Sequence, residues 1–405
     1  MIRTTRHPKT TDISLRNLRY MSERKMYLIW FGTTLCRTSS FVFNMYFMWV
    51  IVVNYNSVLL STLVPTLSLL GYVIITLPEG VILDRYNSSY VGFIATIILL
   101  FTYSLLLLSD SLSTIYVVDI FSSILTAILF DAFIKSSREI VDETEDTKVS
   151  ALNQIGSSLS NVLGIIGAGI ILASARNYLI YILLALSLVG LISGRPFRID
   201  KSEEKHVVKG EVEKALKMLV PVLILALLLN GLFVSLMIFG PTIIHIVLHK
   251  GSNSFTLFEL GIPLGTLMGG IIAAEIERKL ENASIIFLGV LSMGILLLTI
   301  SVSRSLYIDV PSMFLIGIFT SFIEVPAFTI ILKIIPGEII GRVDAVVFLV
   351  FTASAPFMAT VFTVLSPYIP VTTLLMYSGV IACLITVPSY YIMKNFISLK
   401  PMEFP

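Results

Sequence analysis

The sequence predicts an all-α membrane protein, with twelve transmembrane helices in two six-helix halves. Three observations lead there: an excess of apolar residues, their division into runs of spanning length, and the segregation of Lys and Arg between alternate connections. Of 405 residues, 56% are hydrophobic and 13% charged. A soluble domain carries roughly 25% charged residues, so a soluble fold of this size would lack polar groups to cover its surface. In a bilayer the outer surface faces hydrocarbon, and helices satisfy their own backbone polar groups.

A span needs about 20 mostly apolar residues. Runs of that kind fall at 26–53, 58–80, 90–109, 112–134, 150–173, 177–194, 218–244, 256–276, 283–303, 307–332, 344–365 and 371–394. The joints at Ser109 to Ser113 and Ser174 to Asn177 are short. Lys and Arg accumulate on the cytoplasmic side of a membrane protein. With the N-terminus inside, 24 of the 28 Lys/Arg fall in inner segments. Only Arg176, Lys250 and Arg304 fall outside, and Arg37 lies within a span. A miscounted span would scramble this parity, so both termini are expected in the cytoplasm of a multi-pass cell-membrane protein.

The expected organisation is a cytoplasmic tail (1–25), a first half (26–194), a cytoplasmic linker (195–217), a second half (218–394) and a cytoplasmic tail (395–405). Met1 to Lys25 is polar with seven Lys/Arg and does not read as a signal peptide. Within 195–217, Val207, Val208, Val212 and Leu216 fit an interfacial amphipathic helix; a flexible linker fits equally. A six-plus-six repeat is a transporter signature, with the solute site near the midplane between halves.

The net charge of +2 gives no field for nucleic acid, and the two cysteines, Cys36 and Cys383, build neither a disulfide framework nor a metal set. No phosphate-binding Gly-Lys-Ser/Thr loop is present. His245 and His249 stand one turn apart, but no third metal ligand is evident. The chain is read as needing no cofactor and as no enzyme.

A charge inside a span costs roughly 2.5–3.5 kcal/mol on the insertion scale and usually faces a cavity or a partner. Arg37, Asp119 and Glu324 are such residues, with Asn44 and Asn230 as further polar positions in spans 1 and 7. Depth along the spans permits an Arg37–Glu324 pair and leaves Asp119 as an unpaired, protonatable carboxyl. Glu79, Glu259, Glu275 and Glu277 lie near span ends, where charge is cheap, and receive no role. Phe41, Phe43, Tyr46, Phe47 and Trp49 crowd span 1, as packing or as a wall for an apolar solute.

After span 2 comes Gly80-Val-Ile-Leu-Asp84-Arg85-Tyr86-Asn87. It resembles the major facilitator superfamily signature G-x-L-x-D-R-x-G-R-[RK], with Asn87 in place of the second glycine and Ser88 and Ser89 in place of the basic pair. Ala151-Leu152-Asn153, Gly164 to Gly169, Pro241 with Gly261, Gly265, Gly269 and Gly270, and Pro336 to Val343 are similar to the macrolide-efflux and enterobactin-exporter branch. The resemblance implies that Asp84 caps span 11 near Gly341, Arg342, Val343 and Asp344, and that Arg85 pairs with Asp131. Gly80, Asp84, Arg85, Asp131, Gly341 and Arg342 would then form a cytoplasmic gate. It also places spans 1, 4, 7 and 10 around the cavity, so that Arg37, Asn44, Asp119, Asn230 and Glu324 share it. Spans 5 and 8 would meet across the halves on their glycines (Gly156, Gly164 and Gly167; Gly261, Gly265 and Gly269).

Three departures stand out: span 4 has no Arg at Ile115 to Ile134, Ile165 stands where the antiporter signature has proline, and the trailing basic pair is lost. The expected function is secondary active transport of a small solute by a monomer in the bilayer: the efflux of a hydrophobic or drug-like compound, with protons as the expected coupling ion. The alternatives are import of a small organic anion and a non-transporting sensor or scaffold.

Overall fold

The computed structural model describes residues 10–140, 146–196, 209–334, 350 and 353–397. Among these residues every regular element is helical. The helices are α1 Thr10–Tyr55, α2 Val58–Arg85, α3 Ser88–Ser104, α4 Leu112–Ile140, α5 Asp146–Ser174 and α6 Leu179–Ser193, followed by α7 Lys209–Thr242, α8 Ser252–Ile276, α9 Asn282–Val302 and α10 Leu306–Ile334. Next come the apolar segment α11, Ala353–Leu365, and α12, Val371–Ile397. Eleven of the helices are long and apolar enough to cross a membrane; α11 is shorter within the described residues.

Several helices outrun the apolar stretches that define them. α1 begins inside the expected N-terminal tail, and α7 includes residues 209–217 of the expected linker. α7 ends in a turn of π-helix, Ile243–Val247. Short polar side chains set the starts. Ser57 accepts from the Leu60 amide at 3.3 Å, and Ser111 accepts from the Thr114 amide at 3.3 Å. These bonds satisfy amides that a first helical turn leaves open.

Close approach of the helices joins α1–α6 to one another, chiefly α1 to α5 and α6 and α4 to α2 and α3. It likewise joins α8 to α10, α10 to α9, and α12 to α9 and α7. Contacts between the two sets run through α5 and α8, α2 and α7, and α1 and α7. We call the end where α1 begins and α2 finishes the near end, and the opposite one the far end.

The sets join at the far end. Trp49 of α1 stacks on Phe255 of α8 at 5.1 Å, and Thr66 of α2 meets Thr363 of α11 at 3.0 Å between hydroxyl oxygens. The main apolar core there mixes both sets, with Phe43, Met48 and Ile51 beside Leu236, Phe239, Phe255 and Phe362. Toward the near end the cores of the described residues stay separate. Met26, Phe133 and Val149 belong to the first set; Leu219, Val222, Ile286 and Met393 belong to the second.

Candidate functional site

Asp119 sits seven residues into α4, roughly 10 Å along the helix from its far end. It is buried, and one carboxyl oxygen accepts from Ser68 Oγ at 2.7 Å and from Asn44 Nδ2 at 3.3 Å. Asn44 Nδ2 also donates to Ser68 Oγ at 2.7 Å. The triad thus ties α1, α2 and α4 together just below the far-end seal. The second carboxyl oxygen of Asp119 and the amide oxygen of Asn44 have no hydrogen-bond partner. Neighbouring hydroxyls extend the polar patch: Ser39 lies 3.3 Å from the Tyr103 hydroxyl and 3.4 Å from Ser187.

Arg37 does not pair with Glu324. Its guanidinium donates to Ser157 of α5 at 2.8 Å and lies over the Phe130 ring of α4, 4.7 Å from the centroid. Tyr72 of α2 is also in its electrostatic reach. Depth alone allowed the pair, but Arg37 turns into its own set of helices. Glu324 lies among the helices at depth and is nonetheless exposed, so it lines open space inside the bundle. Asn230 donates to Ser354 at 2.9 Å, joining α7 to α11.

The signature segment is helix rather than loop. Gly80 to Arg85 form the last turns of α2, and only Tyr86 and Asn87 connect to α3. Asn87 accepts from the Ser89 and Tyr90 amides at 3.1 and 3.3 Å, so the residue standing in for the motif glycine is the N-cap of α3. Asp84 pairs with Lys135 of α4 at 2.5 Å, an exposed bridge. Gly341 and Arg342, and with them the expected cap on span 11, lie outside the described residues. Asp131 of α4 lies beside the Glu79 carboxyl of α2. The Asp84–Lys135 bridge predicts a small structural effect: Asp84→Asn should lower unfolding stability by about 0–1 kcal/mol in a denaturant or thermal melt.

The glycines pack within each set. Gly156, Gly164 and Gly167 of α5 face Trp30, Phe41 and Val42 of α1, while Gly261, Gly265 and Gly269 of α8 face Met313, Phe314 and Ile318 of α10. The contact of α5 with α8 involves Gly169, against Thr256. Phe43, Tyr46, Phe47 and Trp49 are buried in the mixed core. Glu259, given no role above, is buried, with Oε1 unpartnered and lying over Gly240 of α7. Among the described residues no third His, Cys, Asp or Glu joins His245 and His249 as a metal-binding group.

Among the described residues, eleven membrane-length helices with buried polar and ionisable groups between them define a multi-pass membrane protein. The model of the Major Facilitator Superfamily matches residues 29–360, and the chain belongs to that superfamily. No curated protein sequence matches it. Similar solved structures include a POT family transporter in complex with a thioalcohol-conjugated peptide, at 12% identity and TM-score 0.75, covering 93% of this chain and 97% of that one. The nucleoside transporter NupG follows at 11% identity and TM-score 0.72, covering 93% and 99%. A D-xylose–proton symporter stands at 14% identity and TM-score 0.67, covering 92% and 97%. At these identities the likeness is one of fold.

Proposed function

We propose that the protein is a secondary active transporter that works by alternating access and exports a hydrophobic, drug-like compound in exchange for protons. It would act as a monomer of twelve spans in the cell membrane, its halves at 26–194 and 218–394 joined by the linker 195–217, with the tails 1–25 and 395–405 in the cytoplasm. The observation that carries this reading is the asymmetry of the cores: mixed between the sets at the far end, separate toward the near end. Two packed bodies joined at one end are the parts that rocking about a midplane site needs.

The Lys/Arg bias supports a near end that faces the cytoplasm. The cavity side carrying Glu324 would then face the cytoplasm, the state in which an exporter loads. Arg37 and Glu324, unpaired with each other, are the groups we assign to solute contact, with Asn230 of α7. Asp119 is the proposed proton carrier, being buried with a free carboxyl oxygen and no cation bonded to it. Asp84, Arg85 and Asp131, with Gly80, Gly341 and Arg342, are the proposed cytoplasmic gate. The efflux direction and the macrolide-efflux or enterobactin-exporter branch rest on the motif resemblance.

A second reading, import of a small organic anion, is favoured by one observation: Arg37 makes its described contacts with a hydroxyl and a ring rather than a carboxylate. Proteoliposomes separate the readings. Under an imposed pH gradient, a hydrophobic fluorescent dye should move against its gradient, and labelled benzoate should not. Benzoate uptake without dye movement would favour the anion reading. Movement of neither would leave a sensor or scaffold. Glu324→Gln should lower dye flux at least tenfold with an unchanged yield of monodisperse protein, because the side chain is exposed and Gln keeps its shape.

A further inference from the structure

Three local irregularities meet at one place on the far end. The turn of π-helix at Ile243–Val247 sits there, and such turns recur at functional sites. Asn56 (φ 46°) and His249 (φ 52°) are, among the described residues, the two non-glycine residues in the left-handed region. Such strain persists only where the surrounding structure holds it. All of this borders a cavity of about 760 Å³ between the ends of α1 and α7, the start of α8 and the α5–α6 connection. That volume lies within the roughly 300–1,000 Å³ typical of small-molecule sites.

The formal charge around this cavity is of one sign. Arg176 and Lys250 line it with the imidazoles of His245 and His249, Trp49 and Asn56, and no Asp or Glu is among its lining residues. The sequence holds three Lys/Arg on this side of the membrane, and two of them converge here. Arg176 donates from Nε to the Leu172 carbonyl at 3.1 Å, which steadies the arm and leaves the terminal nitrogens for a ligand. His245 packs edge-on to Trp49 at 5.6 Å. Arg176 and Trp49 belong to the first set of helices; His245, His249 and Lys250 belong to the second.

We propose that this vestibule binds a small anion through a carboxylate or phosphate group. Its basic side chains come from both sets, so one anion bridges them. A ligand that touches both sets only when they are together favours that state by its differential affinity. Occupancy therefore holds the far end shut, and loss of the anion leaves like charges facing one another across the joint. The site is independent of which solute the protein carries and in which direction.

The probe is inorganic phosphate, exchanged for chloride at constant ionic strength, on the full-length protein in phosphatidylcholine nanodiscs. Two readings are taken: thermal unfolding, and the distance between spin labels at Tyr178→Cys and Tyr307→Cys in a Cys36→Ser, Cys383→Ser background. Both tyrosines are exposed at the far end, one on each set. Phosphate should raise the unfolding midpoint saturably and shift the label distances toward the short population. Arg176→Gln with Lys250→Gln should weaken the apparent affinity at least tenfold, and His249→Gln should weaken it less, in the same direction. All three side chains are exposed, so the variants should fold.

Discs containing phosphatidylglycerol identify the source of the anion. If the lipid headgroup is the resident anion, those discs reproduce the stabilisation without phosphate, and the double variant loses it. If the anion is a free solute, only phosphate does so. A response that never saturates, or a double variant that responds like the wild type in both kinds of disc, overturns the proposal.

Discussion

Asp119→Asn should leave the protein folded and bring the ratio of flux with and without an imposed pH gradient down to about one. The geometry makes this substitution nearly silent for structure. The acceptor oxygen that Ser68 and Asn44 use at 2.7 and 3.3 Å is retained in Asn, and the new amide replaces an oxygen that has no partner. What is lost is the ability to gain and release a proton. An unpaired charge in this position costs roughly 2.5–3.5 kcal/mol even on the insertion scale, and a proton on the free oxygen removes it. The measurement is dye flux in proteoliposomes across a series of internal pH values. A wild-type dependence in the variant would end the case for Asp119 as the proton carrier. Asp119→Ala is the harsher comparison: it removes the acceptor that the half-buried Ser68 and Asn44 share and should destabilise by about 1 kcal/mol.

The spans were legible because each is a run of apolar residues whose length the bilayer sets, and most expected edges fall within a few residues of the helices. Where edges moved, functional readings moved with them. α8 starts at Ser252 rather than 256. Glu259 is therefore two turns inside the helix, buried over Gly240, instead of near a cheap span end. α2 continues through Arg85, so Asp84 projects from a helix toward Lys135. Depth along a span follows from counting residues; direction around the helix axis does not. That is why Arg37 and Glu324 could be placed at compatible depths while only the structure shows them apart. Asn87 is the opposite case. It stands where the motif has glycine, yet Asn followed by a helical run is a cap signal readable in the sequence.

The glycine stripe of α8 yields the sharpest structural prediction, since its spacing reveals a flat face without naming the helix that lies on it. A Cβ at Gly265 would sit 2.0 Å from the Phe314 carbonyl oxygen and 3.0 Å from the Gly317 Cα. The fit is reciprocal, because a Cβ at Gly317 would sit 2.2 Å from the Ile262 carbonyl oxygen. Both obstacles are backbone, so no rotamer change relieves them, and α8 and α10 would have to separate. Overpacking against side chains typically costs about 1–3 kcal/mol; against two helix backbones the loss should exceed that range. Gly265→Ala should therefore remove most of the monodisperse protein in detergent size-exclusion chromatography. Gly270 is the control on the same helix, with nothing within 4 Å of its Cβ position, and Gly270→Ala should elute like the wild type. The contrast is informative because helix propensity favours alanine at both positions by about 1 kcal/mol, so only the neighbour can make them differ. Equal behaviour of the two variants would mean that α8 and α10 are not in backbone contact. The small residues would then be free for the contact with α5 that the family resemblance implies.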